Sequence, residues 1–88
     1  MRNILFSANA WLQYDEIQRI NHKQTLKIND LLKDIARNGE SGLGKPEKLK
    51  GELSGCYSRR IDSKNRIVYK FDDNVCEILQ VGTHYNDK

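Results

Sequence analysis

The chain has 88 residues, 38% of them hydrophobic and 31% charged, with a formal net charge of +3. That length fits one domain over residues 1–88 and leaves no room for a second core, while the apolar content sets the chain apart from disordered sequences. No apolar run approaches the roughly 20 residues of a membrane helix, MRNILFSANAW is too short for a secretory leader, and Cys56 and Cys76 are too few and too widely spaced for a disulfide framework or a CxxC element, so a reducing, cytoplasmic setting with no membrane contact is expected.

Asn3-Ile4-Leu5-Phe6 is a short apolar run suited to a buried strand, and Ser7 after it can cap a helix. From Ala8 to Ile20 the residues Trp11, Leu12, Tyr14, Ile17 and Ile20 recur at helical spacing, which predicts an amphipathic helix with these positions inward. After a break at Asn21 a second helical stripe follows at Leu26, Ile28, Leu31, Leu32, Ile35 and Ala36, with Gly39 placed to end it. Gly39 to Pro46 holds three glycines and the only proline, and reads as a loop. Cys56–Ile61, Arg66–Phe71 and Val75–Val81 are rich in β-branched and aromatic residues, and Asp62-Ser63-Lys64-Asn65 and Asp72-Asp73-Asn74 have the composition of tight reversals. The order strand, helix, helix, strand, strand, strand predicts an α+β fold, an antiparallel meander with both helices packed on one face.

Charge is unevenly placed: residues 45–70 hold eight basic and three acidic side chains, whereas residues 71–88 are net negative. A basic middle segment favours a polyanion, though a solvated charged surface has the same composition. Cutting RNA with side chains alone requires a base for the 2′-hydroxyl proton, an acid for the departing 5′-oxygen and a cation for the charge building on phosphorus. Glu47 in its lysine-rich surroundings, His84 just past the last predicted strand and Arg66 opening the middle one of the last three can meet these needs as a set. Taken singly, each reads more simply as a surface charge. Of the adjacent Arg59 and Arg60, alternation sends one to any cleft and leaves the other structural. Tyr57, Tyr69 and Tyr85 suit stacking on bases or, for the first two, core packing. His22, between the helices, reads as structural, and two histidines without clustered carboxylates give no reason to expect a metal or other cofactor.

Gly42-Leu43-Gly44-Lys45-Pro46-Glu47-Lys48-Leu49-Lys50, Leu53-Ser54-Gly55-Cys56-Tyr57-Ser58-Arg59-Arg60-Ile61, Asn65-Arg66-Ile67-Val68-Tyr69 and His84-Tyr85 together resemble the YoeB (Txe) family of bacterial toxins, and the early Trp11 and Ile28–Ile35 helices fit as well. The resemblance implies a microbial RNase-like fold shared with RelE, a glutamate base at Glu47, a phosphate-stabilising arginine at Arg66, a histidine acid at His84 and a terminal tyrosine at Tyr85. Auxiliary basic residues fall on Lys50 and Arg60, with Lys45 beside them as a further RNA contact. It implies a ribosome-dependent, metal-independent endoribonuclease that cuts messenger RNA in the decoding site, a YefM-type antitoxin as partner, and a homodimer. The tail Asn86-Asp87-Lys88 and the small Cys56 depart from the family pattern. A ParE-like gyrase inhibitor of similar architecture and a noncatalytic RNA-binding module are the alternatives, and neither requires Glu47 and His84 to act together.

Overall fold

The computed structural model describes residues 1–83, Thr83 by its backbone alone. Strand β1 (Asn3–Phe6) leads into helices α1 (Ala8–Ile20) and α2 (His22–Asn38), followed by β2 (Glu47–Lys48), a 3-10 turn at Gly51–Leu53, and strands β3 (Tyr57–Arg60), β4 (Arg66–Phe71) and β5 (Val75–Thr83). The sheet runs β1-β5-β4-β3-β2. From β2 to β5 neighbours are antiparallel, and β1 joins β5 in parallel, as a strand returned by way of two helices can. The expected α+β arrangement is present, with two additions, the two-residue β2 and the parallel placement of β1, and one correction: β1 is an edge strand with Ile4 and Leu5 exposed, not the buried strand its apolar run suggested.

Local chemistry sets the helix ends. Ser7 Oγ accepts the Ala10 N–H at 3.1 Å. Asn21 serves two helices, its N–H donating to Ile17 O at 2.8 Å while its Oδ1 accepts the Gln24 N–H at 3.0 Å. Helix α2 therefore begins at once, with His22 as its exposed first residue. It stops at Gly39, where φ is +64° and a Cβ would lie 2.6 Å from the Phe71 ring. Helix α2 buries Ile28, Leu31, Leu32, Ile35 and Ala36 as its periodicity predicts, but Leu26, counted in the same stripe, is exposed one turn from the helix start. Helix α1 does not follow its stripe: Trp11, Leu12 and Ile20 are exposed, and the inward row is Ala10, Tyr14 and Ile17. Those three recur at four and three residues on one face, and Trp11 and Leu12 lie about 100° and 200° round the helix from Ala10.

Strand alternation divides the sheet. Tyr57, Ile67, Tyr69, Phe71, Cys76, Ile78 and Val81 pack against both helices in the main core. A smaller cluster of Leu49, Cys56 and Val68, with Leu53 and Leu79 against it, occupies the other face. Both cysteines are buried and unpaired. Arg59 points into the main core and is fully buried. Its guanidinium pairs with Asp34 of α2 and donates to Leu43 O (3.0 Å), Gly39 O (2.9 Å), Ser41 O (2.8 Å) and Tyr69 Oη (3.0 Å), so each of its N–H groups has an acceptor. The Tyr69 hydroxyl donates to Gly39 O at 2.7 Å, and burial pushes its pKa up. Tyr69 is thus a packing residue, and Arg59 is the structural member of the arginine pair. Arg59 also gathers the carbonyls of the loop that leads to β2.

Candidate active site

That loop delivers Glu47. The Arg60 N–H donates to Gly44 O at 2.7 Å, which ties the loop to the end of β3. Gly44 has φ +78°, and a Cβ there would come 2.8 Å from Leu31 and 3.0 Å from Arg60 O, so only glycine fits. Lys45 follows at φ +52°, the one non-glycine residue with positive φ among the described residues. Pro46 then presets its own φ, and Glu47 enters β2 opposite Ser58. Leu49, 5% exposed, seals this edge, its N–H donating to Cys56 O at 2.9 Å.

Pairing fixes the face each side chain occupies, because directly opposed residues share a face and alternate residues do too. Glu47 opposes Ser58, and Ser58 opposes Val68, which lies in the cluster remote from the helices. Arg60, two residues along β3 from Ser58, opposes Arg66. Arg66 in turn opposes Thr83 on β5. Glu47, Arg60 and Arg66 therefore stand together on the helix-free face. The backbones carrying Glu47 and Arg66 are two strand spacings apart, about 10 Å, and offset by two residues, about 7 Å, a span that two long side chains can close round one phosphate.

No ion pair engages Glu47, Arg60 or Arg66 among the described residues. Arg66 Nη1 donates to Asp62 O at 3.2 Å and Asn65 O at 3.5 Å, which leans it on the β3–β4 turn and leaves other donors free. The carboxylate of that turn is already occupied. Asp62 accepts from Asn65 Nδ2, from the Lys64 and Asn65 N–H groups and from Gln24 Nε2, and the Asn65 side chain first among these holds its pKa below the usual value. Arg66 consequently has a rigid base and an unquenched charge.

Lys45 and Lys50, expected from the sequence to assist, line grooves that Arg60 and Glu47 of this row share. Lys45 and Arg60 line an open groove of about 310 Å³ with Lys27 and Asp62, and Lys50 lines a second, of about 290 Å³, with Glu47. Tyr57 is half-buried on the helix side, stacked 5.8 Å from Tyr69, and does not share the face of Glu47. His84 and Tyr85 lie outside the described residues, as does the Asn86-Asp87-Lys88 tail. The sequence reading missed Gln13, half-buried on α1, whose Oε1 accepts the Val81 N–H at 2.7 Å. A polar residue beside the inward row of a helix was the signal available.

A family model described as YoeB-like toxin of bacterial type II toxin-antitoxin system matches residues 6–85. Toxin YoeB of Streptomyces coelicolor is 46% identical over 82 residues, 93% of this chain and 98% of that protein. Among solved structures, the heterotetrameric YoeB-YefM toxin-antitoxin complex from Staphylococcus aureus contains a chain that superposes with a TM-score of 0.87 at 49% identity, covering 97% of this chain and 99% of that one. The YoeB dimer from the same organism superposes equally well, at 0.87 and 49% identity over 96% of this chain and 98% of that one.

Proposed function

We propose, from the premise that this chain belongs to the YoeB-like toxins of bacterial type II toxin-antitoxin systems, that it is an endoribonuclease that cuts messenger RNA in the ribosomal decoding site. The observation that supports this best is the Arg60–Arg66 pair. Like charges directly opposed in a sheet destabilise it, and no described carboxylate relieves these two, so the arrangement suits an anion supplied from outside.

In this reading Glu47 takes the proton from a ribose 2′-hydroxyl, whose oxygen attacks the adjacent phosphorus. Arg66 stabilises the charge on the phosphoryl oxygens. His84 protonates the 5′-oxygen as its bond to phosphorus breaks, leaving a cyclic phosphate upstream and a 5′-hydroxyl downstream. Tyr85 completes the catalytic set, and Lys45, Lys50 and Arg60 hold the flanking backbone. Proton transfer contributes on the order of 10² to 10⁴ in rate per group and charge stabilisation a similar factor, together about 10 kcal/mol, with no metal ion required. The ribosome presents the message. A YefM-type antitoxin silences the toxin by covering the basic face, and two copies of the chain form a homodimer; the YoeB-YefM complex and the YoeB dimer from Staphylococcus aureus support these two partners.

The test is to translate a defined message with purified protein, map the cuts and identify the new ends. Cuts that depend on ribosomes and leave cyclic phosphates are expected, and His84→Gln should abolish them. Undiminished cutting by His84→Gln, or toxicity without any cut, would refute the proposal.

A further inference from the structure

Strand β5 slips twice against β4. Tyr69 opposes Ile78 while Val68 opposes Gln80, and Ile67 opposes Val81 while Arg66 opposes Thr83, so Leu79 and Gly82 are extra residues. Bulges of this kind re-aim a strand, and they recur beside active sites. At Gly82 φ is +86°, and a Cβ would lie 2.5 Å from Ile17 Cδ1 of α1, so the second bulge presses directly on that helix. The neighbouring strand offers no support there, because β1 ends at Phe6, opposite Ile78. Val81, 1% exposed, turns its N–H instead to Gln13 Oε1 on α1. A helix side chain thus takes the place of a missing strand partner.

We infer that Gln13 is a positioning residue for RNA cleavage, pinning the Gly82 bulge so that Thr83 stands opposite Arg66. Moving the bulge one residue toward the C-terminus would set Gly82 opposite Arg66 and make Thr83 the extra residue, so Thr83 would no longer oppose Arg66. The residue next in sequence is His84, the proposed acid, so the register at Thr83 sets where its segment starts relative to the phosphate-binding arginine. Gln13 itself lies on α1, on the helix side of the sheet, and acts through the Val81 amide. The inference rests on the nuclease reading given above.

The experiment compares wild type, Gln13→Ala and Gln13→Glu in single-message cleavage on bacterial ribosomes, with amide hydrogen exchange of the free proteins read by NMR. Gln13→Ala should lower kcat by about 10- to 100-fold with KM little changed, the loss that a misplacement of about 1 Å brings. Its Val81 amide should exchange faster, while amides of α2 keep their protection. Gln13→Glu retains an acceptor at the same reach and should restore most of kcat and the slow Val81 exchange. Wild-type kcat in Gln13→Ala, unchanged Val81 exchange, or a Gln13→Glu variant as slow as Gln13→Ala would each overturn the inference. An inert wild type would overturn the nuclease reading itself, and the role of Gln13 with it.

Discussion

Arg60 and Arg66 oppose each other across β3 and β4, two guanidiniums in one cross-strand pair. In the free protein this arrangement destabilises the sheet by roughly 0.2–1 kcal/mol, and a bound phosphate reverses its sign. Arg60→Thr should therefore raise the melting temperature by up to a few degrees while weakening RNA binding and flattening its salt dependence. Thermal unfolding and salt-titrated binding would show the two effects moving in opposite directions; a drop in both would mean that Arg60 supports the fold.

Arg66→Ala separates catalysis from docking. A cation that acts on transition-state charge is worth on the order of 10² to 10³ in kcat. The variant should lose that much in cleavage with a far smaller loss of ribosome affinity. Equal losses in the two measurements would reduce Arg66 to a contact residue.

Glu47→Gln keeps the size and reach of the side chain and removes the proton acceptor. Cleavage should slow by about 10² to 10⁴-fold. Because Glu47 is exposed and outside every described ion pair, the melting temperature should stay within about 2–4 °C, as for ordinary surface substitutions in a domain of this size. A large loss of stability would assign it to the sheet edge and leave the base unidentified.

Asp34 governs stability at acid pH. Burial pushes its carboxyl up, but the Arg59 guanidinium, through hydrogen bond and charge, together with the Leu43 N–H, outweighs burial and holds the pKa below its ordinary 3.8. A carboxyl lowered on folding stabilises the protein fully above its unfolded pKa, and this contribution is lost as pH falls through the folded value. Asp34→Asn should cost about 3 kcal/mol at neutral pH, the low end for a broken buried pair because carbonyls still hold Arg59. In melting curves against pH, the gap between wild type and variant should be constant above about pH 5 and narrow below 3.8. A gap that widens on acidification would contradict the assignment.

Lys45 adopts a backbone conformation that glycine tolerates better, at φ +52°. Lys45→Gly should stabilise the fold by up to about 1 kcal/mol and at the same time weaken RNA binding, since Lys45 lines the groove beside Arg60. Chemical denaturation and a binding titration on the same two proteins would check the trade.

Much of this was legible in the residues because local rules and global packing agree. Ser7, Asn21 and Gly39 end the helices as their side chains, or the lack of one, dictate, and β3 to β5 announce themselves by composition. Strand β2 did not, because Glu47-Lys48 carries no apolar alternation and exists only through its pairing with Tyr57 and Ser58. The exposure of Trp11 and Leu12 was likewise hidden, since one helix has several apolar rows and the sheet selects between them. In the site, alternation separated Arg59 from Arg60 correctly in kind. It could not say which was which, a choice settled by Asp34 and the loop carbonyls. Gln13 showed only as a polar residue beside the inward row of α1, because its partner is a main-chain amide freed by a bulge.

The proposed base and the phosphate-holding arginine are fastened to the molecule with unequal strength. Arg66 sits on a six-residue strand with neighbours on both sides, whereas Glu47 hangs from a two-residue margin held by two pairings and the Leu49 cluster. Local opening follows the weakest fastening first. On gentle warming, then, the toxin should fall silent while its helical circular dichroism is still intact, and regain its potency on cooling without ever having unfolded.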